Sequence, residues 1–204
     1  MKLSKTYIGM VERYINSREQ GCLLECDGIA IANNSISLIL FTPVLNDDGS
    51  GISPVDFTGI KVTEYPNFKN RIWKYIIEPY WEDRTKSYKP IPVTLFLDYI
   101  KADVEDVHEE YEIPTRTKLY DESVTNGIFK TDVALKYGGD DGIWLNPELL
   151  YDVAKLITSK GRPVDIWIPN NKKLPAVVVG ENKYGIHLGF VMGVMKNFKE
   201  DRGE

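Results

Sequence analysis

The sequence predicts an α+β protein whose helices pack on one face of antiparallel sheets. Two stretches, 3–17 and 147–160, repeat apolar residues at spacings of three and four, the period of one helix face. Each is followed by short strand-like runs broken at Gly, Asn and Asp turns. This helix-then-strands order occurs twice and predicts two similar domains, 1–85 and 90–196, with a flexible tail at 197–204.

In chain order, Tyr7, Met10, Val11, Tyr14 and Ile15 form the apolar face of the first helix, and Ser4 suits its N-cap. Residues 21–26, 29–33 and 35–42 read as a meander of strands, punctuated by Asp27-Gly28 and Asn33-Asn34. Residues 46–51 are loop, and 59–64 suit a further strand. Residues 65–81 fit two states. Phe68, Ile72, Tyr75 and Ile76 have helical spacing, yet Pro66 and Pro79 also suit an extended connector. Residues 82–90 are polar and read as a linker. Residues 93–111 predict a helix with Phe96, Ile100, Val104, Val107 and Tyr111 on its apolar face and acids on the solvated one. Strands at 118–120, 127–130 and 132–137 and a turn at 138–142 follow. Asn146 then caps a helix with Pro147 at its first position, and Gly161 closes it. Strands at 164–168, 176–179 and 186–195 finish the pattern.

The 204 residues are 43% hydrophobic and 27% charged, which suits a globular chain with a sizeable core. No apolar run approaches a membrane span, so a soluble, cytoplasmic protein is expected. Cys22 and Cys26 are too few for a disulfide scaffold or a four-cysteine zinc site. His108 and His187 are far apart, so neither a metal nor another cofactor is expected. Asp47-Asp48 and Asp140-Asp141 sit in glycine turns without the spacing of a calcium loop. Asp103, Asp106 and Glu110 read as a solvated helix face rather than an acid–base pair. Phosphate loops, dinucleotide glycine patterns and nucleophile elbows are missing, which argues against an enzyme.

The net charge of −5 excludes a surface that binds nucleic acid all over. The charge is unevenly placed. Segment 69–89 carries six cations against three acids, a net of +3, whereas 93–112 carries one against seven, a net of −6. In the basic segment Trp73, Tyr75, Tyr80, Trp81 and Tyr88 lie among the cations. That mixture suits stacking on bases and holding phosphates, and it also suits a connector with solvated cations.

Several runs resemble the bacterial replicative sliding clamp, the processivity factor of the DNA polymerase III holoenzyme, and its phage counterparts. They are Leu145-Asn146-Pro147-Glu148-Leu149-Leu150, Val164-Asp165-Ile166-Trp167-Ile168, Pro175-Ala176-Val177-Val178 and Gly189-Phe190-Val191-Met192-Gly193-Val194-Met195. Upstream, Tyr65-Pro66-Asn67-Phe68 is similar to the family's F-P-D-Y element. Ile31 to Leu38 occupies the place of its A-T-D-G-H-R-L. Gly193 stands where the family has Pro, and Ser35-Ile36-Ser37 where it has Gly-His-Arg.

The resemblance implies a DNA-clamp-like fold and a non-enzymatic DNA replication accessory protein. Family rings of six similar domains place helices toward duplex DNA and hold it without reading sequence. Two domains per chain imply a homo-oligomer, a trimer if the ring forms. The residues expected to contact DNA are Lys2, Lys5, Arg13, Lys69, Arg71, Lys74, Lys86, Lys155 and Lys160. DNA polymerase or another client is expected to insert a short apolar peptide among Ser35, Ile36, Leu38, Pro66, Asn70, Ile72, Phe190, Val191, Met192 and Val194. The acidic face of 93–111 suits a second reading, a clamp-like protein-binding module that no longer binds DNA.

Overall fold

The computed structural model describes residues 3–26, 29–42, 57, 60–61, 63, 68–91, 95–106, 118–120, 133–137, 142–171 and 173–193. The expected strand at 127–130, the tail at 197–204, His108, Glu110 and the turn carboxylates Asp47, Asp48, Asp140 and Asp141 lie outside these residues.

Helix α1 (Lys5–Ile15) starts where Ser4 Oγ accepts the Tyr7 amide at 3.2 Å. Strands β1 (Cys22–Cys26), β2 (Ile29–Asn33) and β3 (Ser37–Phe41) follow as an antiparallel meander. Near the other end, helix α5 (Pro147–Ile157) precedes β9 (Pro163–Pro169), β10 (Ala176–Asn182) and β11 (Gly185–Val191), a second antiparallel meander. The Asn146 side chain accepts the Glu148 and Leu149 amides at 2.8 and 3.3 Å, leaving Pro147 where no N–H is needed. Asn146→Ala is expected to lower stability by about 1–2 kcal/mol, and Asn146→Asp, which keeps the acceptor, by much less. Urea unfolding midpoints measure both.

The chain is α+β with an open antiparallel sheet. The two meanders meet edge to edge, β3 pairing β11 with Leu40 opposite Leu188, and the order is β1-β2-β3-β11-β10-β9. Short β4 (Tyr88–Pro90) and β5 (Leu95–Phe96) also pair with β9, completing eight strands. The expected boundary at 85–90 therefore marks no break in the sheet. Strands from both expected domains lie side by side, because β3 and β11 each bring an apolar edge to the other.

Alternation along the strands splits the core in two. Leu23, Ala32, Ile39, Phe41, Val178 and Val191 face α1 and α5. Leu24, Ile31, Leu38, Leu40, Val177 and Phe190 face the other way. On the first side α5 touches both α1 and α4 (Leu97–Asp106), and a small sheet of β6 (Lys118–Tyr120), β7 (Val133–Tyr137) and β8 (Ile143–Leu145) adds Leu135, Tyr137 and Leu145 to the core. Two details depart from the acidic helix expected here. Phe96 precedes the helix and is exposed. Asp103 is fully buried and accepts the Tyr137 hydroxyl at 3.0 Å, so it is not on the solvated face.

On the second side the ambiguous stretch is helical but wide. Residues Lys69–Ile77 form a π-helix, followed by α2 (Glu78–Trp81) and α3 (Arg84–Ser87). Hydrogen bonds that reach five residues back widen the turn. The inward side then recurs near Phe68, Ile72 and Ile77, and Tyr75, expected inward at α-helical spacing, stands 61% exposed.

Helix α5 seats on two glycines. A Cβ on Gly189 would overlap Val153 Cγ1, and one on Gly180 would lie 2.8 Å from Ile157 Cγ1 and 2.9 Å from its carbonyl oxygen. At the end of this seat a polar network ties α1 to the β10–β11 hairpin. Asn182 Nδ2 donates to the Tyr7 hydroxyl and to the Leu156 carbonyl, at 3.1 and 2.9 Å. Its Oδ1 accepts the Tyr184 amide and sits 3.0 Å from His187 Nε2. The amide orientation makes that His187 nitrogen the donor. Among the described residues no helix is long and apolar enough to cross a membrane.

Candidate functional site

The β2–β3 turn is built by its own side chains. Asn33 Oδ1 accepts the Ser35 amide at 3.0 Å, and Asn34 Oδ1 accepts the Ser37 amide and hydroxyl at 2.9 and 2.8 Å. Ser37 has spent its only hydroxyl proton, so Tyr14 donates to Ser37 Oγ at 2.8 Å. Ser35 takes the left-handed conformation at φ 80° that this turn requires. Helix α1 thus locks the turn from one side of the sheet. Ile36 and Leu38 are presented on the other, where the Met192 amide donates to the Ile36 carbonyl at 3.2 Å.

Between this turn and the π-helix lies a groove of about 390 Å³. Leu38, Phe190 and the buried Pro175 form its floor, Ile72 and Ile76 one wall, and the exposed Met192 the rim. Gln20, Cys22, Asn33, Ser35 and Ser37 complete the lining. The size and the apolar lining with a few polar groups are those of a peptide or small-molecule site. Met192 is 39% exposed at the rim, and a flexible thioether there adapts to varied apolar partners.

The expected partner residues divide. Ser35, Ile36, Leu38, Ile72, Phe190 and Met192 meet at this groove from three distant parts of the chain. Val191 does not. Strand alternation turns it to the opposite side, fully buried under α5. Asn70 is exposed on the π-helix and does not line the groove, and Pro66 and Val194 lie outside the described residues. Sequence reading missed Ile76, Gln20, Cys22, Asn33 and Pro175. The strand pairing that gathers them is not a local signal, although Ile76 carried the right spacing.

The expected DNA contacts also divide. Lys5 and Arg13 are exposed on α1, Lys155 on α5, and Lys160 just beyond it. Lys69, Arg71, Lys74 and Lys86 are exposed on the other side of the sheet, where Lys86 pairs with Asp83. The eight described cations therefore do not share one face, and Lys2 lies outside the described residues. Between α1 and α5 a shallow cleft brings Arg13, Ser17, Asp152 and Lys155 together. Glu12 and Asp152 are exposed among these cations.

Among the described residues no three His, Cys, Asp or Glu side chains are grouped to hold a metal ion. His187 is fully buried, and burial depresses its pKa to about 4, so it is neutral at physiological pH. Cys22 and Cys26 are thiols, and Asn33 Nδ2 lies 3.8 Å from Cys22 Sγ. No family model, curated protein or solved structure matches the chain at a significant level.

Proposed function

We propose that this chain is a non-enzymatic, clamp-like accessory protein of DNA replication that tethers partner proteins through an apolar peptide seated in the groove. One observation carries the reading. Six of the ten residues expected on resemblance to line a client pocket, distant in sequence, meet in a single groove of peptide size. The two helix-then-meander halves support it, with α1 and α5 on one face of a shared sheet, as helices lie toward DNA in a clamp. Lys5, Arg13, Lys155 and Lys160 then meet duplex phosphate without reading sequence.

The test uses an apolar clamp-binding peptide followed by amide chemical shifts. Shifts clustered at Leu38, Ile72 and Met192 are expected. Met192→Glu, which buries an unpaired carboxylate against the peptide, weakens binding by about tenfold to a hundredfold. No shifts at saturating peptide overturn the reading. Salt-dependent retention on duplex DNA, lost on changing Lys5, Arg13, Lys155 and Lys160 to Ala together, tests the helical face. A second reading, the protein-binding module without DNA contact, draws on the exposed acids Glu12, Asp152 and Asp98 around these helices. It is distinguished by peptide binding without duplex retention.

A further inference from the structure

The outer surface of the π-helix, α2 and α3 carries side chains that neither the groove nor the α1–α5 face uses. Trp73 and Trp81 pair with ring centroids 5.8 Å apart, and Trp81 is 44% exposed. Tyr75 is 61% exposed, with Lys74 Nζ 5.8 Å from its ring. Arg84 lies 4.8 Å over the ring of Trp167, which also meets Tyr80 edge-on. Lys69, Arg71 and Lys89 are exposed on the same segment. Against them stand Glu78, half-buried, Glu82, exposed, and Asp83, tied to Lys86. The segment is thus net positive in a chain that is net negative.

A helix that covers a sheet turns its aromatic residues inward, as Phe68 and Tyr80 do here. The wide winding leaves Tyr75 outside, and Trp81 is held at the surface against Trp73. Exposed rings interleaved with cations are complementary to a ligand that is both anionic and flat-faced. Duplex DNA offers the charge but hides its base faces within the stack. A single strand offers both, and stacking on aromatic side chains tolerates any base.

We infer that this face is a single-stranded nucleic acid platform, on the opposite side of the sheet from the helices proposed to meet duplex DNA. Trp81 and Tyr75 stack on bases, and Arg71, Lys74 and Arg84 hold the adjoining phosphates. The inference does not depend on the peptide groove, which uses Ile72 and Ile76 on another side of the same helix.

Fluorescence anisotropy with an oligothymidylate of about 15 nucleotides tests it at low salt, alongside a duplex of equal length. The expected result is retention of the single strand with quenching of tryptophan emission. Trp81→Ala and Tyr75→Ala are each expected to weaken it by about tenfold, and Trp81→Phe, which keeps a ring, by much less. Both positions are exposed, and matching thermal melts verify that the variants fold. Met192→Glu is expected to leave oligothymidylate binding unchanged while abolishing peptide shifts, so this inference and the groove reading fail separately. The platform is overturned if the wild-type protein does not retain the oligonucleotide. It is equally overturned if both alanine variants bind like wild type, or if a polyglutamate peptide displaces the strand at equal charge concentration, which marks a patch that reads charge alone.

Discussion

Gly189→Ala is expected to destabilise the protein by about 3 kcal/mol, near the upper end of what overpacking a core costs. The added methyl group on β11 enters the volume of Val153 Cγ1 on α5. Val153 is fully buried, and a β-branched side chain in a helix has one favoured rotamer, so it has nowhere to turn. The helix must lift from the sheet instead. Val153→Ala removes the obstructing carbon, so the double variant should be more stable than Gly189→Ala alone. The two changes should thus show a strong favourable coupling in a double-mutant cycle. Gly180→Ala is the contrasting case. The Ile157 carbonyl oxygen, 2.9 Å from where the new Cβ would lie, stays in place whatever side chain residue 157 carries, so Ile157→Ala should not rescue it. Urea midpoints of these variants decide the matter. A Gly189→Ala protein as stable as wild type would show that α5 is not seated on β11.

Acid should unfold the protein earlier than its carboxylates alone require, because of His187. In the unfolded chain the imidazole takes up a proton near pH 6.5, whereas burial in the fold holds that step down to about pH 4. Above pH 6.5 both states are neutral and the group contributes nothing that varies with pH. As pH falls from there, the unfolded state binds a proton that the folded state refuses. Stability drops until the folded pKa is reached, by up to about 3 kcal/mol. The cause is local. His187 Nε2 already donates to Asn182, and Nδ1 has no partner among the described residues, so a second N–H would be buried without an acceptor. His187→Gln keeps an N–H donor and cannot titrate in this range. Melting temperatures recorded from pH 7.5 to 4 should converge for the two proteins at the acid end, with wild type falling more steeply. Parallel curves would show that His187 is not the titrating group.

What the sequence revealed was whatever rests on neighbours along the chain. Ser4 and Asn146 marked the helix starts because capping joins residues two or three apart. Asn33-Asn34 marked the β2–β3 turn for the same reason. The pairing of β3 with β11 was not legible, because an apolar strand edge does not name its partner. Tyr75 has α-helical spacing with Phe68 and Ile72 yet stands exposed, because that period does not apply to a π-helix. Val191 was placed with Phe190 and Met192, yet adjacent strand residues face opposite ways. At the groove, resemblance named most of the apolar residues, while Pro175 and Gln20 carry no local mark of their role.

The position of β11 in the chain has a consequence for biosynthesis. Strand β3, Ser-Leu-Ile-Leu-Phe, is buried along its whole length, and one of its two edges is covered by the last strand of the sheet. On the ribosome that edge emerges about 145 residues before its cover. Throughout that interval the nascent chain displays a short, uncharged, β-prone segment, the kind that pairs with other chains. Chaperone capture of ribosome-bound intermediates should therefore centre on Ser37–Phe41 and cease once residues 185–191 have left the exit tunnel.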